Sequence, residues 1–579
     1  MLIIIPVFGW CQEYTDFLGA GHTKGVTVTT SHNQTVNNNG GVTIDGFQSH
    51  SIQSLKDASR FLAQATMGYD YETIEAVASM GYDTWIDEQF SLGMHLLSDL
   101  TSLIEPEDEE NEEEGLYGRN TFRAAWLSRN LNYPDLLRQK VAWALSQIFV
   151  VSGVGSDLYE DITTVNSGYY DILVSNAFAN YRDLLRSVSL SPSMGIYLSH
   201  INNPKADPAN NIHPDENYAR EVMQLFSLGL YELNLDGTAK LDNQGNPIPT
   251  YDNDDIREFA KIFTGFGNPG GEMIFGVFGF DEAGEYGHLP MKMYEEWHQQ
   301  GTKSLLNGQV VPSGQSGMKD FEDAIDNLYN HPNVGPFIGK ALIQFLVTSN
   351  PSPSYVERVA SAFNDNGLGE RGDMKAVVKA ILLDPEARIC NPESNPSGGK
   401  LREPLMRYMQ LLKAFNAGPV DKNRSLFKSD LEVWSETVGQ VPMFSPSVFN
   451  FYLPDFQPNG PIAQANLVGP EFQIHNSSTA IGYINQAYEW LYHEAPLETL
   501  DAETNEGRTV MLDLDQEYSL ASDPTQLIDR LDIALAAGQL TQKTKDIIVS
   551  ALRQTEELED RVNLGIYLVL ISPDFAILK

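Results

Sequence analysis

The chain has 579 residues, 42% hydrophobic and 20% charged, a balance that excludes wholesale disorder and allows a large buried core. Its 38 Lys and Arg face 78 Asp and Glu, a formal charge of -40, and no basic patch interrupts that field, so nucleic acid and anionic membrane are poor partners. Only Cys11 and Cys390 occur, which leaves no disulfide framework and no CxxC metal knuckle.

In chain order, Leu2 to Phe8 is apolar and runs into Gly9, Trp10 and Cys11. Residues 1–11 therefore read as a truncated signal segment, and the expectation is an exported protein, periplasmic or secreted. The string Phe8-Gly9-Trp10, with Trp10 directly before Cys11, is not the run of small residues that lipidation of Cys11 would need. Residues 12–52, rich in Gly, Thr and Asn, read as a polar linker with at most one short strand. Helical patterns dominate from Leu55 onward, so residues 53–579 are expected to form one helical domain. No later segment reaches the roughly 18 apolar residues that would span a bilayer.

The fold class that follows is mainly α: a large multi-helix globular domain with a small β-hairpin or irregular excursion. Pro134 is expected to open a helix whose Leu137, Val141, Ala144, Leu145 and Ile148 form one apolar stripe. The same periodicity predicts helices in 166–188, 353–366, 372–384, 400–415, 526–537 and 556–571. The acidic run EPEDEENEEE at 105–114 is too polar to pack and predicts a solvated loop. Minor β content is expected mainly in 231–250 and 268–312, where Gly and Asp turns replace helical periodicity. Asn234, Asp236, Asp242 and Asn243 lack the alternating ligands and closing Glu of a calcium loop, and turn chemistry accounts for them better.

No GxSxG elbow, Walker A loop, HExxH or dinucleotide fingerprint is present. The densest polar segment runs from His213 to Gly229 and predicts a helix from Asp215 to Leu228, with Pro214 at its start and Gly229 at its end. On a helical wheel Asn217, Arg220, Glu221 and Gln224 share one arc, opposite Tyr218, Ala219, Val222, Leu225 and Phe226. Glu216 lies about 140° from Glu221, so the two are not a side-by-side carboxylate pair. An exposed amphipathic face with an internal Arg–Glu pair, or a buried structural network, would account for the same residues.

The strings DENYAREVMQLFSLGLYELNLDGT (215–238) and YDNDDIREFAKIFTGF (251–266) resemble the bacterial family called domain of unknown function 1800. So do RFLAQATMG (60–68), LRQKVAWALSQIFVVS (137–152), MKMYEEWHQQGTKSLLNG (291–308), HPNVGPFIGKALIQFLVTSNPSP (331–353), GKLREPLMR (399–407) and SPSVFNFYLPDF (445–456). The resemblance runs from about Leu55 onward. It brings no activity with it. It implies an exported envelope or extracellular protein, with a sulfatase-like partner often encoded nearby. Many members carry Glu and His where this chain has Gln224 and Phe226.

Two functions fit. The favoured one is a non-catalytic binding or assembly module. The alternative is an extracytoplasmic enzyme acting on a polysaccharide or similar polymer. In it Glu221 serves as acid or base, Arg220 and His298 orient the substrate, and Asn217 and Gln224 contact it. The sequence assigns neither cofactor nor metal.

Overall fold

A computed structural model describes residues 51–102, 119–154, 163–270, 288–389, 395, 397–417, 425–428, 437–492, 497–501, 507–510 and 512–579. The leader, nearly all of the linker and the acidic run at 105–114 lie outside the described residues. Regular structure within them is mainly helical, and the strands form only small antiparallel groups.

Local chemistry sets the helix boundaries. The stripe anticipated after Pro134 is the helix Leu136–Ser146, with Leu137, Val141, Ala144 and Leu145 all buried. It begins two residues later, at Leu136, and Asp135 at the cap position makes no side-chain cap bond but accepts the His95 backbone N–H at 3.3 Å and Gln139 Nε2 at 3.1 Å. The 166–188 pattern splits into Thr163–Asn176 and Tyr181–Ser189. Asn180 starts the second helix by accepting Arg182 N, and its Nδ2 donates to the Arg371 carbonyl at 2.7 Å. Ser352, Asp373 and Asp523 likewise cap Pro353–Asn364, Met374–Leu382 and Pro524–Ala534, each cap filling helix N–H groups that would otherwise lack a partner. Pro404–Ala414 and Leu558–Leu570 complete the anticipated set.

The helices meet through these apolar stripes. Val334–Leu346 packs on Pro353–Asn364, which packs on Met374–Leu382. Ile52–Ala65, started by Ser51, touches Leu136–Ser146, Met374–Leu382 and Pro524–Ala534, elements far apart in sequence. One connected apolar core results, running from Leu55 to Phe575. At about 1.5–3 kcal/mol for each fully buried Leu, Ile, Val or Phe, this burial is the main favourable term. No helix among the described residues is long and apolar enough to cross a membrane.

The β content is more widely placed than the turn pattern suggests. Phe266–Gly267 pairs with Lys292–Met293, and Lys303–Ser304 with Val310–Val311, in or beside the expected 268–312. Residues 231–250 form two consecutive tight turns held by isolated bridges, Leu233 to Ala239 and Leu241 to Pro247. Asp236 Oδ1 accepts Thr238 N at 2.9 Å, and Asp242 Oδ1 accepts Gln244 N at 2.8 Å and Asn246 N at 2.9 Å, so these carboxylates do turn chemistry. A three-stranded sheet of Ser425–Lys428, Leu497–Asp501 and Gly507–Val510 lies outside both expected regions. Its first strand sits against Arg119–Asn132, where Ser128 Oγ accepts Phe427 N at 2.9 Å. Its pairing joins residues some seventy positions apart, which no local pattern encodes.

Candidate functional site

The central polar helix spans Asn217–Gln224, shorter at both ends than the sequence suggests. Its start is held from outside. Asn203, buried beneath it, accepts Asp215 N at 2.9 Å, and Asp215 Oδ1 accepts Asn217 N at 2.8 Å. At the other end the hydrogen bonds widen: Phe226 N reaches Glu221 O at 3.2 Å, and Leu228 N reaches Met223 O at 2.8 Å. This wider turn ends at Gly229, whose φ of +75° suits glycine and where a Cβ would lie 2.8 Å from Phe337.

The apolar side is anchored as the wheel requires, with Tyr218, Ala219, Val222 and Phe226 buried and Leu225 partly so. Tyr218 donates to Ser189 Oγ at 2.6 Å, and its ring stacks on His200 at 3.9 Å between centroids. His200 Nε2 donates to the Ser189 carbonyl at 2.9 Å, while burial pulls its pKa down to about 4 and keeps the ring neutral.

The opposite stripe is graded. Asn217 is exposed, and its Nδ2 lies 3.4 Å from Ser199 Oγ. Arg220 is half-exposed and pairs with Glu216 at 3.7 Å one turn back, a surface pair of small energetic weight. Gln224 accepts the Tyr251 hydroxyl at 3.2 Å. Glu221 is 7% exposed, and its Oε2 has no hydrogen-bond partner among the described residues. Burial raises its pKa, against a smaller lowering by Arg220. Burial, then the charge of Glu221, pushes the hydroxyls of Tyr197 and Tyr251 up to about 12.

His298 occupies a different setting. It is fully buried, with Nδ1 2.9 Å from the Thr264 carbonyl and Nε2 3.1 Å from Asp320 Oδ2, and Asp320 also binds the buried Lys303. No hydrogen bond or ion pair among the described residues joins His298 to Glu221 or Arg220. The structure thus gathers Asn217, Arg220, Glu221 and Gln224 along one helix and encloses His298 in its own polar network. Among the described residues no group of three or more His, Cys, Asp or Glu is arranged to hold a metal ion. A cleft of about 640 Å³ lies elsewhere, lined in part by Asp70, Glu72, Tyr133 and Lys413 and by none of the expected site residues.

A family model described as "Protein of unknown function (DUF1800)" matches residues 60–577. The chain belongs to the DUF1800 family. No curated protein and no solved structure matches it. In this DUF1800 chain the two positions where the family resemblance implies Glu and His do different work: Gln224 accepts from Tyr251, and Phe226 is buried 5.1 Å from the Phe149 ring.

Sequence reasoning missed Tyr197, Tyr251 and His200. Tyr251 opens a string already singled out, YDNDDIREFAKIFTGF, so its presence was visible and its direction was not. Tyr197 and His200 lie before the polar segment, around the positive-φ turn at Ser199, and nothing local ties them to Glu221 or Tyr218. Chemically, the group holds a buried carboxylate oxygen without a hydrogen-bond donor among the described residues, near enough to Tyr197 and Tyr251 for its charge to hinder their ionisation.

Proposed function

We propose that this chain works outside the cytoplasm as a non-catalytic binding or assembly module, with a sulfatase-like protein encoded nearby as its partner. The observation that carries this reading is the double turn at 230–250. Leu230, Tyr231, Leu235, Leu241 and Ile248 are all exposed there, Leu241 at 58%. Asn333 fixes their base, accepting Leu233 N at 3.0 Å and donating to the carbonyls of Leu228 at 3.0 Å and Tyr231 at 2.8 Å. Several large apolar side chains on one rigidly seated projection suit a protein partner better than solvent.

The test mixes the purified chain with that sulfatase-like protein and measures complex formation by size exclusion and calorimetry. A complex that is lost in the Leu230→Asp/Leu241→Asp variant, with thermal stability kept, supports the reading; absence of a complex with the parent overturns it. Fractionation of the native host tests export, and recovery in the cytoplasm alone sinks that part. The second reading, an extracytoplasmic enzyme on a polysaccharide, draws on the buried Glu221, whose Oε2 has no hydrogen-bond partner among the described residues and whose pKa burial raises. Its test is hydrolysis of a polysaccharide panel by the parent and by Glu221→Gln.

A further inference from the structure

Two strings singled out in the sequence, LRQKVAWALSQIFVVS and GKLREPLMR, have no part in the site above, yet both carry charge into the core. Lys140 on Leu136–Ser146 and Lys400, Arg402, Glu403 and Arg407 around the start of Pro404–Ala414 are all buried. Lys140, Lys400, Arg402 and Glu403 line a cavity of about 30 Å³, whose other walls include Ala63, Met67, Phe345 and Met406.

Partner accounting separates these groups. Lys400 uses all three N–H donors, on the carbonyls of Gln344 at 2.9 Å and Phe345 at 2.8 Å and on Glu471 Oε1 at 2.9 Å. Glu403 is filled by Trp143 Nε1 at 2.8 Å, Gln147 and Gln440 at 3.1 Å each, and the Tyr452 hydroxyl. Among the described residues Lys140 Nζ has only Met406 Sδ, a weak acceptor, at 3.5 Å. Arg402 donates through Nη1 to the Leu535 carbonyl at 3.0 Å and its guanidinium lies over the Phe575 ring, 5.2 Å from the centroid, while its Nε and Nη2 have no hydrogen-bond partner among the described residues.

We infer that this cavity is a binding site for one small monovalent anion, a halide or a formate-sized carboxylate, held by Lys140 and Arg402. Unfilled donors outnumber unfilled acceptors on its wall, so the missing occupant is an acceptor. Three cations, Lys140, Lys400 and Arg402, line the cavity against Glu403 on its wall and Glu471 bonded to Lys400, inside a chain whose formal charge is -40. Water would fill the donors but leave that buried positive excess uncompensated, which is costly. The space is about twice the roughly 15 Å³ that one water needs, enough for an ion larger than water. The lowering of the Lys140 pKa to about 8 by burial agrees with an ammonium that lacks a direct counter-ion.

The test takes the full chain in gluconate buffer and adds sodium bromide or sodium formate at constant ionic strength. We expect the unfolding midpoint to rise saturably with one or both anions, as ligand binding to the folded state requires, and crystals soaked in bromide to show an anomalous peak beside Lys140 and Arg402. A rise with formate alone assigns the carboxylate, and a rise with bromide the halide. Lys140→Met should abolish the saturable rise; if that variant does not fold, the anomalous peak and the parent titration decide. No saturable rise with either anion, or an equal rise in folded Lys140→Met, overturns the proposal and leaves two waters as the occupants.

Discussion

Replacing Asp320 by Asn removes the charge that faces Lys303 while keeping the shape of the side chain. Lys303 is 1% exposed, and its other oxygen contact, the Gly301 carbonyl, lies at 3.4 Å. The ammonium would therefore be left buried without a counter-charge, and His298 Nε2 would lose its carboxylate acceptor. Breaking a buried pair in this way costs about 3–5 kcal/mol. An unfolding entropy of about 2.1 cal/mol/K per residue gives about 1.2 kcal/mol/K if the whole chain unfolds together, so the midpoint should fall by about 2.5–4 °C. Urea unfolding followed by circular dichroism and differential scanning calorimetry would measure it. The double variant Asp320→Leu/Lys303→Met should recover part of the loss, because no lone charge remains. A loss below about 1 kcal/mol in Asp320→Asn would refute the account of His298, Asp320 and Lys303 as a stabilising internal network.

For Glu221→Gln the sign follows from burial. The folded state holds the carboxyl proton more tightly than the unfolded chain, so this group's contribution is fully present below its ordinary value of 4.5 and is lost as pH rises through the raised folded value. Relative to the parent, Glu221→Gln should therefore gain stability between pH 4 and pH 7 in thermal unfolding; a pH-independent difference would contradict the burial of Glu221. Gly229→Ala should destabilise by about 1–3 kcal/mol, because it combines a left-handed φ with the Phe337 contact, and urea titration would show it. Trp143→Phe removes one of the four donors on Glu403 and should cost about 1–3 kcal/mol by the same assay, whereas a neutral result would mean that Glu403 finds another donor. Far-UV circular dichroism should give a helix-dominated spectrum, and strand content near that of an average α/β protein would contradict the fold.

The helices were legible because apolar spacing and capping are properties of neighbouring residues. Leu137, Val141, Ala144 and Leu145 are buried together because residues three and four apart share a face, and Ser352 and Asp523 begin helices because their side chains reach N–H groups two or three positions ahead. The turns at Asp236-Gly237 and Gly245-Asn246 follow from the same kind of local chemistry. The polar stripe of Asn217, Arg220, Glu221 and Gln224 was visible for the same reason, and so was the anchoring of Tyr218, Val222 and Phe226.

What the stripe faces was not visible. Glu221 on the wheel has the same standing as Arg220, but only the approach of other elements left one half-exposed and the other buried with an unfilled oxygen. His298 looked like an available imidazole until the chain brought Thr264 and Asp320 to its two nitrogens. Lys140 and Arg402, 262 positions apart, look like ordinary surface charges in sequence, yet they line the same internal cavity. By itself the sequence determined an acidic, helical, DUF1800-like chain with its helix faces and turns, since those depend on contacts within a few residues. Tertiary structure alone decided which charges are buried, which are satisfied and which are left open, because desolvation and partner geometry arise only where distant segments meet.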